Sequence, residues 1–287
     1  MEAAAQVIIN GIIAAGMYAI MAMAFHLVYG VGRYFHLALG AFALVGGYAM
    51  LWCLRASWPI WIAMIVSILV AGMVGWACDR SVFRPLRARR ASPLVSIVAS
   101  LGLLIFLQAI LALSFSVEFR SYPVTLFEGS LEMGGGVITW TQLTIVVSAV
   151  ACFAALRLFL TRTKYGCAVR AVSDDVEVAT MIGIDVERVM GLVAFLAACL
   201  SGLAGILTGF DLGLQPTMGL ALILKGAVAG VIGGLGTLNG ALLGAAFLGV
   251  LENVGIWFIA SQWKDTITYG ALIVFLVARP RGILSKR

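Results

Sequence analysis

Long apolar runs alternate with short polar ones along the whole chain. About nine runs read as helices in lipid, at residues 7–29, 37–54, 58–78, 93–115, 140–160, 190–210, 219–235, 239–260 and 266–278. At about 20 residues per crossing these runs take up most of the chain, which leaves no room for a separate soluble domain. The second run is short and rich in glycine, and the seventh and eighth are split only by Gly236, Thr237 and Leu238. A broken or re-entrant helix fits at either place. The pattern therefore predicts an all-α, polytopic membrane bundle of eight or nine spans, forming one domain over residues 1–287.

The longest polar interruption, residues 161–189, reads as folded. Ser173 can cap a helix whose first turn carries Asp174, Asp175 and Glu177, acids placed where the helix dipole favours them. Ala179 falls inside that helix, Gly183 can end it, and Asp185 can start the next one. A helix of about two or three turns is expected to lie across the membrane face between two spans. It is either a docking element for a partner protein or a solvated connection that happens to be helical.

Composition excludes a soluble alternative. Of 287 residues, 62% are hydrophobic and 11% charged, whereas soluble domains are nearer half apolar and a quarter charged. The net charge of +6 would suggest nucleic acid in a soluble protein; here it accompanies arginines in loops, and no nucleic-acid partner is expected. Arg80, Arg84, Arg87, Arg89 and Arg90 fill one loop. Arg162, Lys164, Arg170 and Arg188 belong to the 161–189 segment, and Arg279, Arg281, Lys286 and Arg287 to the tail. Nine crossings bring all three groups to one side, the cytoplasm by the positive-inside bias, together with Arg33 and Arg157. The N-terminus is then outside and the C-terminus inside. The 116–139 loop, with Glu118, Glu128 and Glu132, is outside too. The start of the chain has no basic stretch, so the first run is expected to be a retained span and not a cleaved signal peptide.

Candidate chemistry is sparse. The five cysteines are scattered and mostly within apolar runs, which suits small buried hydrophobes. His26 and His36 have no carboxylate at helical spacing, so no metal site is expected, and no nucleophile–base set marks a catalytic centre. No phosphate-binding glycine loop with its lysine is present; if ATP drives this protein, another chain binds it. Within the spans, Lys225 and Glu252 stand out, because a charge facing lipid is costly. They pair across neighbouring helices, or Lys225 reaches to the outer face and Glu252 bonds a nearby Ser or Thr. Asn10, Gln108, Asn239 and Asn253 suit hydrogen bonds between helices. Gly202 with Gly205, Gly226 with Gly230, and Gly240 with Gly244 have the spacing of close helix packing.

Several stretches resemble one family. Ile9–Ile13, Tyr18-Ala19 and Val28–Arg33 are similar to the first span of the permease subunits of ATP-binding-cassette importers for branched-chain amino acids, and to the turn after it. Arg170–Ala179 with Ile182–Asp185 resembles that family's cytoplasmic coupling loop. Lys225–Gly236 (with Gly226, Gly230, Gly233 and Gly234), Asn239–Gly244 and Gly249–Glu252 resemble its glycine-rich C-terminal half, and Arg279–Leu284 its ending. At one point the chain departs. Where the family commonly reads Asn-Phe-Ala-His-Gly-Glu, this sequence reads His36-Leu-Ala-Leu-Gly40-Ala41. The resemblance implies a multi-pass subunit of the bacterial inner membrane that works by alternating access. Its partners would be a second homologous permease in a heterodimer, two ATPase subunits that bind ATP and magnesium, and a periplasmic substrate-binding protein. Residues 161–189 would carry the coupling helix, and His36, Lys225 and Glu252 are either positions of the translocation pathway or intramembrane polar residues. Branched-chain or other small apolar amino acids are the first substrate class, and urea, short amides and small organic acids the alternatives. An ion-coupled secondary transporter or a channel is the rival of a different class; buried acids in broken helices would mark the former.

Overall fold

Each predicted apolar run forms a helix in the computed structural model, which describes the chain except residues 1, 125–128, 134, 135, 235, 259, 280, 281 and 285–287. Glu128, Leu235, Arg281, Lys286 and Arg287, all used above, lie outside the described residues. The helices are α1 (Glu2–Gly32), α2 (Leu39–Arg55) and α3 (Ile60–Cys78), which continues through a π-helical turn (Asp79–Phe83) into α4 (Arg84–Ala88). Next come α5 (Pro93–Phe115), a hairpin of β1 (Ser130–Met133) and β2 (Gly136–Thr139), and α6 (Trp140–Arg162). The polar segment forms α7 (Lys164–Asp174) and α8 (Val176–Met181). The chain ends in α9 (Val186–Asp211), α10 (Met218–Gly233), α11 (Leu238–Phe258), a 3-10 turn (Ser261–Trp263) and α12 (Lys264–Ala278).

Among the described residues, six helices are long and apolar enough to cross a membrane: α1, α3 with its extension, α5, α6, α9 and α11. The apolar helices α2 and α10 are shorter, at 17 and 16 residues. At about 1.5 Å per residue, each is less than the roughly 30 Å of a hydrocarbon core. Their first turns abut within the bundle, where a Cβ added to Gly40 would overlap the carbonyl of Gly219.

The most enclosed long helix is α1, which packs on α9, α10 and α11, while α2 and α3 pack on α9. Lipid supplies no hydrophobic drive between helices, so close backbone approach must hold them. The glycines provide it. A Cβ on Gly205 would overlap the Ala43 carbonyl oxygen, and one on Gly46 would strike the Gly202 backbone. Gly226 and Gly230 face Met21 and Phe25 of α1; Gly233 and Gly240 face each other, and Gly244 faces Ala229. Gly234 takes φ +108 beyond α10, a left-handed conformation open to glycine. By contrast, α5 lies at the periphery and buries only Ser100 and Leu104.

The basic segments gather at one end. Arg33 reaches the carbonyl of Ser173, and Arg87 reaches Glu187. The amides of Ile283 and Leu284 in the tail bond the carbonyls of Ile232 and Gly233 at the end of α10. The described residues of the 116–139 connection lie at the opposite end, where Gln6 near the start of α1 bonds both backbone groups of Val137.

Candidate functional site

Two places carry charge that the apolar bundle does not need for its own packing. The first centres on Glu252 of α11, whose side chain is 0% exposed. The Tyr18 hydroxyl of α1 donates to its Oε2 at 2.5 Å, and the Thr268 hydroxyl of α12 donates to Oε1. Lys225 Nζ of α10 lies 3.2 Å from Oε1, and Lys264 Nζ lies 3.6 Å from Oε2. Lys225 also reaches Asp265 at 2.9 Å and sits over the Tyr18 ring. A buried carboxylate is tolerated when each oxygen is occupied in this way. Sequence inspection named Lys225, Glu252 and a bond from Glu252 to a nearby Ser or Thr, which Thr268 makes, but missed Tyr18, Lys264 and Asp265 as partners. Two of these are charges in the first turn of the last helix, and spacing along one helix cannot reveal contacts between four.

Beside this network, α1, α6, α9, α10, α11 and α12 line a cavity of about 380 Å³. Lys225 and Lys264 present cations to it, and Asp211, at the end of α9, presents an anion. Ile13, Met17 and Leu222 form an apolar wall. Such a lining can hold a small molecule that carries both charges and an apolar body. Asn10 and Asn253 also face the cavity. Each bonds within its own helix, Asn10 to Gln6 and Asn253 to the Gly249 carbonyl, and not across helices as expected.

His36 is elsewhere. It is buried in the α1–α2 connection at the basic end, its ring 4.6 Å from Phe83 and 5.6 Å from Tyr34, and its Nδ1 has no hydrogen-bond partner.

The second place is the polar segment. Ser173 does not cap a helix: it lies in the last turn of α7, and its hydroxyl donates to the Gly30 carbonyl of α1 at 2.9 Å. Asp174 is the last residue of α7. The cap of α8 is Asp175, whose Oδ1 accepts from the amides of Glu177 and Val178 at 2.8 and 3.0 Å. Asp175 has the extended backbone (φ −152, ψ 117) that a cap requires, whereas Ser173 is helical. The expected helix is thus α8, capped two residues later than Ser173 and six residues long, and α7 precedes it where no helix was expected. Ala179 is the buried contact of α8. Gly183 follows it with φ +87, and the Asp185 side chain accepts from the Arg188 amide at the start of α9. Arg170 and Glu177 are exposed. At the tip, Met181 is 82% and Ile182 68% exposed. Two large apolar side chains bared on a polar segment went unremarked in the sequence, because only the fold shows which face of α8 is left uncovered.

The relatives of the chain agree with this architecture. Residues 7–277 match the family described as branched-chain amino acid transport system / permease component. The high-affinity branched-chain amino acid transport system permease protein BraD of Pseudomonas aeruginosa is 30% identical, covering 98% of this chain and 95% of its own. The corresponding protein LivH of Escherichia coli K12 is 28% identical over the same shares. The autoinducer 2 import system permease protein LsrC of Escherichia coli O9:H4 is 29% identical over a shorter stretch, 63% of this chain and 54% of its own. Among solved structures, PsaBC from Streptococcus pneumoniae in complex with Fab aligns with TM-score 0.53 at 13% identity, covering 93% of this chain and 90% of that one, a likeness of fold alone. The chain belongs to the family of permease components of branched-chain amino acid transport systems, and is a membrane transport subunit and not an enzyme.

Proposed function

We propose that this chain is the permease subunit of an ATP-driven importer of branched-chain or similar small apolar amino acids in the bacterial inner membrane. It pairs with a second, homologous permease and docks two ATPase subunits, which bind the ATP and magnesium. A periplasmic binding protein delivers substrate to the face opposite the basic end. The basic end is cytoplasmic, which puts the N-terminus outside and the C-terminus inside. All nine apolar helices cross, α2 and α10 doing so with the help of their flanking connections. The cavity beside Lys225 receives the amino acid: the two lysines suit its carboxylate, Asp211 its ammonium, and Ile13, Met17 and Leu222 its side chain. Alternating access requires a seam with two packings, and the abutting first turns of α2 and α10 are the candidate.

The observation that carries the docking reading is α8, a short capped helix with Met181 and Ile182 bared beyond the bundle. Contiguous exposed apolar side chains in a polar setting suit a protein partner. The test is a pull-down of the tagged chain from mild detergent, with subunits identified by mass spectrometry, alongside Met181→Glu plus Ile182→Glu. Recovery of two ATPase subunits with the native chain and their loss with the double variant is the expected result. Recovery of the native chain alone, under conditions that keep known complexes intact, would favour an ion-coupled transporter or channel.

A further inference from the structure

At the basic end a groove of about 720 Å³ runs between α3 with its π turn and α4 on one side and the first turns of α9 on the other. Its chemistry changes along its length. Met73, Leu192 and Phe195 line the part that continues along the spans, while Arg80, Arg84 and Arg188 line the mouth. Trp76 stands at the boundary, its ring 5.6 Å below the Arg80 guanidinium. Gly191 makes room there: a Cβ at that position would already touch the Trp76 indole at 3.4 Å.

Asp185 and Glu187 also line the mouth, but both are taken. Glu187 accepts from Arg87 at 3.2 and 2.8 Å, and Asp79 accepts from the same guanidinium at 2.7 and 3.1 Å. Asp185 pairs with Arg188 at 2.8 Å. Among the described residues Arg80 has no carboxylate partner, and Arg84 lies 3.7 Å from Glu187, beyond a good hydrogen bond. Two guanidinium groups therefore keep their donor edges free on one side of an apolar groove. A guanidinium binds a phosphate diester bidentately, and an indole at the polar boundary marks headgroup depth.

We propose that this groove holds one anionic phospholipid, its phosphate on Arg80 and Arg84 and an acyl chain along Met73, Leu192 and Phe195. A soluble phosphate would use only the mouth, and an acidic protein segment would leave the apolar length uncovered. The groove adjoins Glu187 and the start of α9, next to α8, so a lipid seated there would brace the helix pair at the basic end.

The test uses the full chain purified with its native partners, stripped of lipid and titrated with phosphatidylglycerol, followed by native mass spectrometry. Saturation at one phosphatidylglycerol per copy is expected, with phosphatidylcholine taken up at least about tenfold more weakly. Arg80→Gln plus Arg84→Gln should weaken phosphatidylglycerol binding roughly tenfold or more, from the loss of two interfacial arginines. Gly191→Leu, which fills the groove without changing charge, should weaken it as well. Equal binding by the native chain and the arginine variant would overturn the proposal. So would displacement of the lipid by equimolar inorganic phosphate, which would indicate an anion site only. Loss of a protein subunit from the arginine variant with lipid binding unchanged would assign the groove to that subunit instead.

Discussion

Glu252 survives without solvent because Tyr18, Thr268, Lys225 and Lys264 occupy its two oxygens. Glu252→Ala should therefore be costly. It orphans the Tyr18 hydroxyl and leaves Lys225 only Asp265, which is 64% exposed. Breaking one side of a buried pair costs about 3 kcal/mol, which for a chain of this length is a fall of about 5 °C in melting temperature. Asp265→Asn should do much less, since Lys225 then keeps its buried partner. Thermal unfolding of both variants in detergent separates them. His36→Leu removes the orphaned Nδ1 and is expected to leave the melting temperature at pH 7 no lower than that of the native chain.

Single substitutions also test how helices form and meet. Asp175→Ala removes two amide partners from α8 and should cost that helix about 1 kcal/mol. Because α8 buries only Ala179, the loss is local: faster amide exchange over residues 176–181 with an unchanged melting temperature. Gly205→Ala drives a methyl into the Ala43 carbonyl, which belongs to helix backbone and cannot rotate away. About 1–3 kcal/mol is expected to be lost. Gly102→Ala meets no atom within 4 Å and should be neutral or slightly stabilising, as alanine is the better helix former. The elements were legible where a pattern repeats: apolar runs bounded by polar ones located the helices at 7–29 through 266–278. What failed was local and geometric. Ser173, Asp174 and Asp175 are all good capping or first-turn residues, and only the extended backbone at Asp175 decides among them. Gly40 and Gly219 look like ordinary helix glycines until the fold brings their helix starts together. The hairpin at 130–139 is too short to show a period of two against the surrounding apolar sequence.

The basic residues pointed to a common end for three distant segments, and the contacts Arg33–Ser173 and Arg87–Glu187 join that end together. Yet the chain did not reveal that one helix, α1, is bonded both at that end and beside the cavity. At the basic end, Arg33 donates to the Ser173 carbonyl at 2.6 Å, while the Ser173 hydroxyl returns a bond to Gly30 at 2.9 Å. About half the helix length away, Tyr18 of the same α1 holds Glu252, and Ile13 and Met17 face the cavity. On the proposed coupling, a movement imposed on α7 and α8 would reach the cavity wall through this one helix, bonded at both places, a two-ended element of the kind that coupling requires. Arg33→Gln combined with Ser173→Ala loosens the grip without touching the bared face of α8 or the lining of the cavity. In reconstituted vesicles, this variant is expected to keep its partner subunits and most of its ATP hydrolysis while moving several-fold less leucine per ATP consumed. Hydrolysis and uptake falling in proportion would mean that these bonds merely support the docking surface. Hydrolysis and uptake both unchanged would mean that the movement reaches the cavity through another helix that runs between the ends, such as α6 or α9, both of which also line the cavity.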